Sequence, residues 1–337
     1  MARKNSLQAV AEEMGISKVT VWRAVNDQPG ISREMKDKIL SHMQQTGLSI
    51  LPAKEREAGA IKRLAYFVSH RFFFENEKFY TIIYYQLNKM ALSHNITLTL
   101  FVVNHLDEHA DRLPASFLNE SFDGVFIGGE MKESYIQAIR ARNCPLVMID
   151  FYSLKVDADC VITDNFFMGY EVTSRLLDMG HRDIGFAGGY RAVSNIMDRY
   201  LGYVKALRHA DIEPNDEWTF NVNDPITGLY SMNFLLPKVL PTAIVCHCDM
   251  AAYYLIERLK MMNKSVPEDV SIISFDNTEL CTQITPNLTS VEISCRKFAE
   301  IAFDALYKRI RNPEEPYCRQ YVPCKLILRD SARDIHS

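Results

Sequence analysis

The sequence lacks the long apolar runs and the cysteine patterns that mark membrane, secreted or zinc-binding proteins. No apolar stretch approaches the roughly 18 residues needed to span a bilayer. Residues 1–5 lead directly into a polar helical pattern, without the apolar core of a signal peptide. The eight cysteines form no CxxC pair and have no matching histidine spacing, which indicates neither a metal site nor a disulfide framework. We therefore expect a cytoplasmic protein with no metal and no cofactor.

Charge is distributed unevenly along a chain of otherwise ordinary composition. The 337 residues, 47% of them hydrophobic and 24% charged, suffice for two or three globular domains. Residues 1–63 contain 11 Lys and Arg against 7 Asp and Glu, a net charge of +4, whereas the rest contain 27 against 35, a net charge of −8. A basic segment ahead of an acidic body suits a domain that meets phosphate groups.

The first sixty residues have helical patterns only. Gly15 separates a helix over 7–14 from a second helix, which Ser17 caps and which continues to about residue 25. Ser32 caps a third helix that ends at Gly47 and carries apolar residues at helical spacing, namely Met35, Ile39, Leu40 and Met43. These patterns predict a three-helix domain over 1–49, followed by a linker over the charged stretch 50–63.

From residue 64 onward, β-branched and aromatic runs alternate with amphipathic helical patterns. The predicted strands are 64–68, 97–103, 124–127, 146–149, 160–162, 184–187, 243–246 and 270–275. The predicted helices are 78–93, 131–143, 166–179, 195–210, 249–263 and 295–311. Continuous apolar strands alternating with helices predict parallel sheets covered on both faces. Because about 270 residues exceed one sheet, 64–337 is predicted to form an α/β body of two doubly wound lobes.

The segment Leu7–Val25 has the pattern of a helix-turn-helix, in which the second helix is short, polar and basic on its exposed side. Lys18, Val19 and Arg23 are predicted to project from this helix, while Ile16, Val21 and Val25 face inward. Arginine pairs in a fork with guanine acceptors, and an apolar side chain contacts a thymine methyl group. The polar residues Ser17, Thr20, Asn26 and Ser32 are candidates for phosphate contacts, which set position rather than sequence preference. The alternative is an ordinary three-helix domain with a solvated basic face.

Six motifs along the chain resemble those of the lac-repressor (LacI/GalR) family of transcription regulators. They are AVAEEMGISKVTVWRAVN at 9–26, DNFFMGY at 164–170, GHRDIGFAGG at 180–189, RYLGYVKAL at 199–207, VPEDVSIISFDN at 266–277 and PNLTSVEIS at 286–294. Their order and spacing match the family over almost the whole length. The resemblance implies an N-terminal DNA-binding domain, a body like a periplasmic sugar-binding protein, and a homodimer that recognises a pseudo-palindromic DNA operator.

Two residues depart from the family pattern in the DNA-binding part. Trp22 stands where the family usually has Ser, and its indole can pack on the sugar-phosphate backbone or change which bases are reachable. Glu57 stands near the Leu that the family inserts into the minor groove, and phosphates repel a carboxylate, so we do not expect that residue to wedge open the duplex. The complete set of candidate DNA contacts is Leu7, Ser17, Lys18, Val19, Thr20, Trp22, Arg23, Asn26 and Ser32.

Polar residues at the ends of predicted strands indicate an effector site between the two lobes. Ligands of such folds bind at the carboxyl ends of strands, and carboxylates accept hydrogen bonds from sugar hydroxyls. Asp150, Asp249 and Asp276 each end a predicted strand, Asn195 and Arg199 are one helical turn apart, and Phe79 can stack on a sugar ring. By resemblance, Asp150, Asn195, Arg199, Asn223 and Asp276 occupy positions where the family contacts a small, sugar-like effector.

Each of these residues also has a structural explanation. An Asp after a strand is commonly a helix cap, and Asp249 can cap a helix over 250–263. The alternative role of Arg199 is a structural salt bridge without any contact to a ligand. Cys248 stands where an Asn is common in the family. A thiol is a poor hydrogen-bond partner, so we expect one typical contact with a sugar hydroxyl group to be absent or replaced. The aromatic and charged tract His70–Glu75 indicates either a modified, charged or larger ligand, or a loop packed at a dimer interface.

Two other functional classes remain as alternatives. Three aspartates in a cleft can serve as acid and base in glycoside hydrolysis, but the sequence contains no nucleophile elbow, P-loop, GxGxxG or HExxH motif. Strand alternation places Cys246 and Cys248 on one face and His247 on the other, which favours strand packing over a metal or nucleophile cluster. An architectural DNA-binding protein would not need a large cleft-forming body. We therefore expect a regulator and not an enzyme, with no leucine heptads after Asp330 that would form a coiled-coil tetramer.

Overall fold

A computed structural model describes residues 7–25, 29–46, 61–73, 78–189, 193–224 and 229–336. The chain divides into two compact units, Met1–Ile61 and Lys62–Ser337. Within the described residues, no helix is both long and apolar enough to cross a membrane.

The first unit contains the three predicted helices, α1 (Leu7–Met14), α2 (Lys18–Val25) and α3 (Arg33–Thr46). Serine hydroxyls cap the second and third helices, because Ser17 Oγ accepts the backbone N–H of Thr20 at 3.0 Å and Ser32 Oγ that of Met35 at 3.3 Å. The buried core between the helices consists of Val10, Ala11, Val21, Ala24, Ile39 and Met43.

One residue of the predicted apolar face is on the surface. Leu40 was expected to face the core with its neighbours on α3, but its side chain is 41% exposed. It follows Ile39 directly, and two adjacent residues on a helix are about 100° apart, so both cannot face the same narrow core. The prediction for Leu40 is therefore wrong, while the bundle itself is confirmed.

The second unit begins with a six-stranded, fully parallel sheet of order β11-β5-β4-β3-β1-β2. Its strands are β1 (Arg63–Ser69), β2 (Thr97–Val103), β3 (Gly124–Gly128), β4 (Leu146–Ile149), β5 (Asp159–Thr163) and β11 (Arg319–Val322). The helices of this first lobe are α4 (Phe79–Ser93), α5 (His105–His109), α6 (Ala115–Asn119), α7 (Glu133–Arg140) and α12 (Cys295–Arg311). The central strands are buried throughout, as expected for a parallel sheet covered on both faces.

The second lobe has a six-stranded sheet of order β12-β10-β9-β8-β6-β7, in which β12 is antiparallel to β10 and the other pairs are parallel. Its strands are β6 (Ile184–Ala187), β7 (Thr219–Phe220), β8 (Ala243–Cys246), β9 (Ser271–Asp276), β10 (Thr289–Ile293) and β12 (Cys324–Ile327). Its helices are α8 (Asn165–Asp178), α9 (Ser194–His209), α10 (Asp249–Met261) and α11 (Leu280–Gln283). Short 3₁₀ turns lie at His70–Phe72 and Asp216–Trp218.

The chain passes between the lobes three times, after β5, after β10 and between β11 and β12. Every crossover starts or ends close to the carboxyl ends of the parallel strands. These strand ends therefore face one another across a cleft, where loops and helix starts from both lobes meet.

Two glycines of the family-like motifs allow α8 and α9 to cross at close range. A Cβ atom on Gly169 would overlap the carbonyl oxygen of Arg199, and one on Gly202 would overlap that of Phe166 and lie 2.6 Å from the backbone nitrogen of Tyr170. The backbones touch because neither position has a side chain. This contact fixes α9, the helix that carries the predicted site residues Asn195 and Arg199.

Replacing Gly202 with Ala should therefore destabilise the fold by about 1–3 kcal/mol, because the added methyl group forces two helix backbones apart. Thermal unfolding would show this as a lower midpoint, by roughly 2–4 °C per kcal/mol. Leu201→Ala is the matched control, since that side chain is 45% exposed on the same turn and should change stability by about 0.5 kcal/mol or less. A Gly202→Ala variant with the wild-type midpoint would contradict the packing argument.

Candidate functional site

The exposed face of α2 has the composition predicted for a DNA-reading helix. Val19 is 56% exposed and Trp22 is 40% exposed, and the side chains of Lys18 and Arg23 are also on the surface. Their neighbours Val21 and Ala24 are fully buried against the other helices. The helix therefore presents two cations, an apolar side chain and an indole on one side.

The polar candidates around α2 are engaged in local contacts. The hydroxyl groups of Ser17 and Thr20 lie 2.8 Å apart, within the cap of the helix. Arg23 Nη1 donates to the carbonyl oxygen of Gly30 at 3.4 Å, so the guanidinium lies beside Gly30. Ser32 is exposed and caps α3. Asn26 and the side chain of Leu7 lie outside the described residues.

A cavity of about 120 Å³ lies between the two lobes at the carboxyl ends of the strands. This is below the roughly 300–1,000 Å³ of pockets for drug-sized ligands, so it suits a small molecule. Six of the seven predicted effector-binding residues line this cavity: Phe79, Asp150, Asn195, Arg199, Asn223 and Asp276.

Asp150 connects the two lobes at the bottom of the cavity. It follows β4 with a positive φ of 67°, which Asp tolerates better than most residues, and its side chain is buried. Its Oδ2 atom accepts hydrogen bonds from the Tyr80 hydroxyl group of the first lobe and from Asn195 Nδ2 of the second, both at 2.8 Å. Burial raises the pKa of this carboxyl group, while the nearby charge of Arg199 acts in the opposite direction.

Arg199 is the buried cation of the opposite wall. Its Nε donates to Asn165 Oδ1 at 2.8 Å and its Nη1 to the carbonyl oxygen of His247. Nη2 lies 3.7 Å from Asp276 Oδ1, and the guanidinium lies 4.4 Å from the centre of the Phe275 ring. The salt bridge considered from the sequence is therefore present, and the same residue also lines the cavity.

Several polar atoms of the cavity wall have no hydrogen-bond partner. Among the described residues these buried atoms include three acceptors, Asp150 Oδ1, Asn195 Oδ1 and Asn223 Oδ1, and one donor, Arg71 Nε. A buried polar atom without a partner costs about 1–3 kcal/mol. Unpaired atoms that line one cavity are therefore explained best by a ligand that supplies the missing partners.

Asp249 lines not this cavity but a neighbouring one of about 410 Å³ in the same cleft, which shares Phe79, Cys248 and Asp276 with it. Its Oδ1 accepts from the hydroxyl groups of Ser274 at 2.5 Å and Ser290 at 2.6 Å, and its Oδ2 accepts from the backbone and side chain of Thr278. All these bonds lie within the second lobe, so Asp249 ties together β9, β10 and α10. The residue that caps α10 is its neighbour Cys248.

His247, Tyr230 and Cys248 form a chain of contacts beside Arg199. His247 Nδ1 lies 3.1 Å from the carbonyl oxygen of Ala187 and must donate to it, so Nε2 accepts from the Tyr230 hydroxyl group at 3.0 Å. The Tyr230 oxygen also lies 3.0 Å from Cys248 Sγ. Burial lowers the pKa of His247 from 6.5 to about 4, so its ring is neutral at neutral pH.

The Cys246-His247-Cys248 segment contributes to packing, as strand alternation predicts, but also to the cavity wall. Both cysteines belong to the same apolar cluster of the second lobe, while Cys248 lines the cavity together with His247. The described residues contain no group of His, Cys, Asp or Glu side chains that could hold a metal ion. Tyr230 occupies the space next to Cys248, where the sequence predicted only a missing contact.

Several residues of the cavity wall were not predicted from the sequence, among them Arg71, Phe72, Tyr80, Tyr230 and His247. Arg71 and Phe72 belong to the unusual tract His70–Glu75, which was the only signal that indicated them. Tyr80 follows the predicted Phe79 directly, and the two rings meet edge to face at 5.2 Å. Tyr230 lies outside any predicted element, so the sequence offered no reason to select it.

Comparison with known proteins agrees with this architecture. The model of a periplasmic binding protein-like domain matches residues 173–332. The HTH-type transcriptional repressor PurR of Glaesserella parasuis serovar 5 (strain SH0165) is 32% identical over 245 residues, which cover 70% of this chain and 69% of that protein. The ribose operon repressor of Haemophilus influenzae (strain ATCC 51907 / DSM 11121 / KW20 / Rd) is 24% identical over 97% of this chain and 98% of that protein.

A solved structure of the same fold covers nearly the whole chain. The crystal structure of the lac repressor dimer bound to operator and the anti-inducer ONPF has a TM-score of 0.69 at 19% identity, covering 97% of this chain and 99% of that chain. Together with the helix-turn-helix, the two parallel-sheet lobes and the similarity to the repressors, this shows that the chain belongs to the LacI/GalR family of transcriptional regulators.

Proposed function

We propose that this regulator is a homodimeric repressor that recognises a pseudo-palindromic DNA operator and is controlled by a sugar-like effector bound between the lobes. Effector binding is supported by three buried acceptors that have no hydrogen-bond partner among the described residues, Asp150 Oδ1, Asn195 Oδ1 and Asn223 Oδ1. Hydroxyl groups of a polyol can donate to all three, and the rings of Phe72 and Phe79 offer apolar surfaces beside them.

The DNA-binding half is supported by the exposed side chains of α2. We assign base contacts to Lys18, Val19 and Arg23, and phosphate contacts to Ser17, Thr20, Asn26 and Ser32, with Trp22 against the sugar-phosphate backbone. The guanidinium of Arg23 must leave the carbonyl group of Gly30 to reach a base edge, which a single exposed hydrogen bond permits at little cost. Leu7 is included among the contacts by resemblance alone.

Control by the effector follows from the bonds that already cross the cleft. Ser194, at the start of α9, donates its backbone N–H to Glu130 Oε2 of the first lobe at 2.6 Å, and the Tyr152 hydroxyl group donates to Asp198 Oδ1 at 3.3 Å. A ligand that bonds to Asp150 of one lobe and Asn195 of the other adds to these links and favours closure. We propose domains at 1–49, 50–63 and 64–337, in which closure of the body changes how the two N-terminal domains of the dimer are held.

Thermal unfolding against a panel of sugars, sugar phosphates and nucleosides tests the effector half. A ligand at about 100 times its Kd should add about 2.7 kcal/mol of stability and raise the midpoint. Asn223→Ala should remove most of that increase without lowering the stability of the ligand-free protein, because Asn223 Oδ1 has no partner to lose. Asn119→Ala, an exposed position of the first lobe, is the control and should retain the full increase. Loss of ligand-free stability in Asn223→Ala, with the ligand effect intact, would assign Asn223 a structural role.

The DNA-binding half is tested by selecting binding sites for the full-length protein from a randomised DNA duplex pool. We expect a two-fold symmetric consensus sequence, and Arg23→Ala should cost about 1–3 kcal/mol and relax the preference at one base pair of each half-site. Lys38→Ala, whose ammonium group is paired with Glu34 on α3, should change binding far less. Equal weakening of all sequences by Arg23→Ala would instead indicate a phosphate contact, and a pool without a symmetric consensus would contradict the dimer model.

A further inference from the structure

Arg71 lies at the edge of the cavity, in the unusual tract that follows β1. Its Nη2 donates to the carbonyl oxygen of Glu130 at 2.6 Å, and its guanidinium lies 4.7 Å from the centre of the Phe72 ring. Phe72 in turn packs against Tyr80 at 5.4 Å and fills the space above Gly129. The guanidinium is therefore held in place by its neighbours and faces the ligand cavity.

Arg71 forms no salt bridge with any residue that the structure describes, although Glu108, Glu130 and Glu133 line a neighbouring pocket with it. Among the described residues no carboxylate lies within ion-pair distance of it, and its Nε atom is buried without an acceptor. The two buried arginines that the structure describes differ: Arg309 pairs with Asp159 at 2.7 Å, and Arg199 lies 3.7 Å from Asp276. Arg71 is half-buried, but its Nε atom is buried without an acceptor, so a ligand in the cavity can supply that acceptor.

The other unpartnered atoms of the cavity indicate which further groups the ligand carries. Asp150, Asn195 and Asn223 each present an acceptor, and these require hydroxyl or amine donors. Guanidinium groups bind carboxylates and phosphates through charge-assisted hydrogen bonds, which are stronger than bonds between neutral groups. A molecule with several hydroxyl groups and one acidic group can bind both the three acceptors and the guanidinium group of Arg71.

We propose that the effector is a sugar that carries an acidic group, and that Arg71 is the residue that selects it. This rests on the proposed effector site between the lobes. The carboxylates of Asp150, Asp224 and Asp276 also line the cavity and repel negative charge, so a singly charged carboxylate, as in a uronate or aldonate, fits better than a doubly charged phosphate. The contact of Arg71 with the Glu130 carbonyl group, and that of the Glu130 side chain with Ser194, link the acid-binding position to the second lobe.

Isothermal titration of the full-length protein with matched pairs of ligands tests this proposal. The pairs are D-glucose with D-glucuronate, D-gluconate and glucose 6-phosphate, D-galactose with D-galacturonate, and D-ribose with ribose 5-phosphate. We expect at least one acidic sugar to bind about 10- to 100-fold more tightly than its neutral parent, which is the range of one charge-assisted hydrogen bond. Comparing the affinities of the carboxylates with those of the phosphates shows which kind of acidic group the site prefers.

Variants at Arg71 show whether this residue causes the preference. Arg71→Met should reduce the ratio of acidic-sugar to parent affinity to near one, while Arg71→Lys, which keeps the charge, should restore part of it. Arg112→Met is the matched control, because that arginine is exposed in the same lobe and paired with Asp107. A panel in which neutral sugars bind as tightly as their acids, or in which Arg71→Met weakens both alike, overturns the inference alone. Absence of binding by every sugar and acid overturns the proposed effector site as well.

Discussion

The guanidinium group of Arg199 is the contact on which the wall of the second lobe depends. From α9 it reaches Asn165 at the start of α8, the backbone of His247 after β8, and Asp276 at the end of β9. Two helices and two strands are therefore held in register by one buried cation. Removing it would break the ion pair with Asp276 and leave the Thr163 hydroxyl group as the remaining donor to Asn165 Oδ1, and loss of one partner typically costs several kcal/mol in a buried network.

The close crossing of α8 and α9 makes this arrangement possible. Gly169 lies directly against the backbone of Arg199, so the position of the Arg199 backbone is fixed relative to α8. The first lobe has a corresponding centre in Asp150, which bonds to Tyr80 and Asn195 but keeps one oxygen free of partners among the described residues. Asn195 and Asn223 of the second lobe also keep an oxygen without a partner, and these atoms line the cavity with Asp150. A ligand bound to all three would therefore link the two lobes.

Much of the fold follows from local sequence patterns. All eight predicted strands are present, because continuous apolar runs such as 146–149 and 243–246 can be buried only inside a parallel sheet. Strands β7, β10, β11 and β12 were missed, since they are short and partly polar. Helix caps at Ser17 and Ser32 were correct because a cap depends only on residues within one turn.

The candidate site was predictable only where a strand or helix end carried it. Asp150 and Asp276 come directly after apolar runs, and Asn195 and Arg199 share one face of a helix, so topology alone brings them together. Asp249 has the same sequence signal, but three hydroxyl-bearing residues from other strands and loops satisfy it, and nothing local reveals them. Residues such as Tyr230 and Arg71 reach the cavity from loops, whose course depends on the folded body and not on local periodicity.

The proposed regulation requires that the cavity between the lobes and the DNA-binding face be thermodynamically coupled. The most direct measurement is operator affinity with and without saturating effector, together with effector affinity with and without saturating operator. We expect the two ratios to be equal and different from one, in the range of about 5- to 150-fold typical of such coupling, because linkage between binding sites is reciprocal. An operator affinity that is unchanged at saturating effector would contradict the proposed regulation.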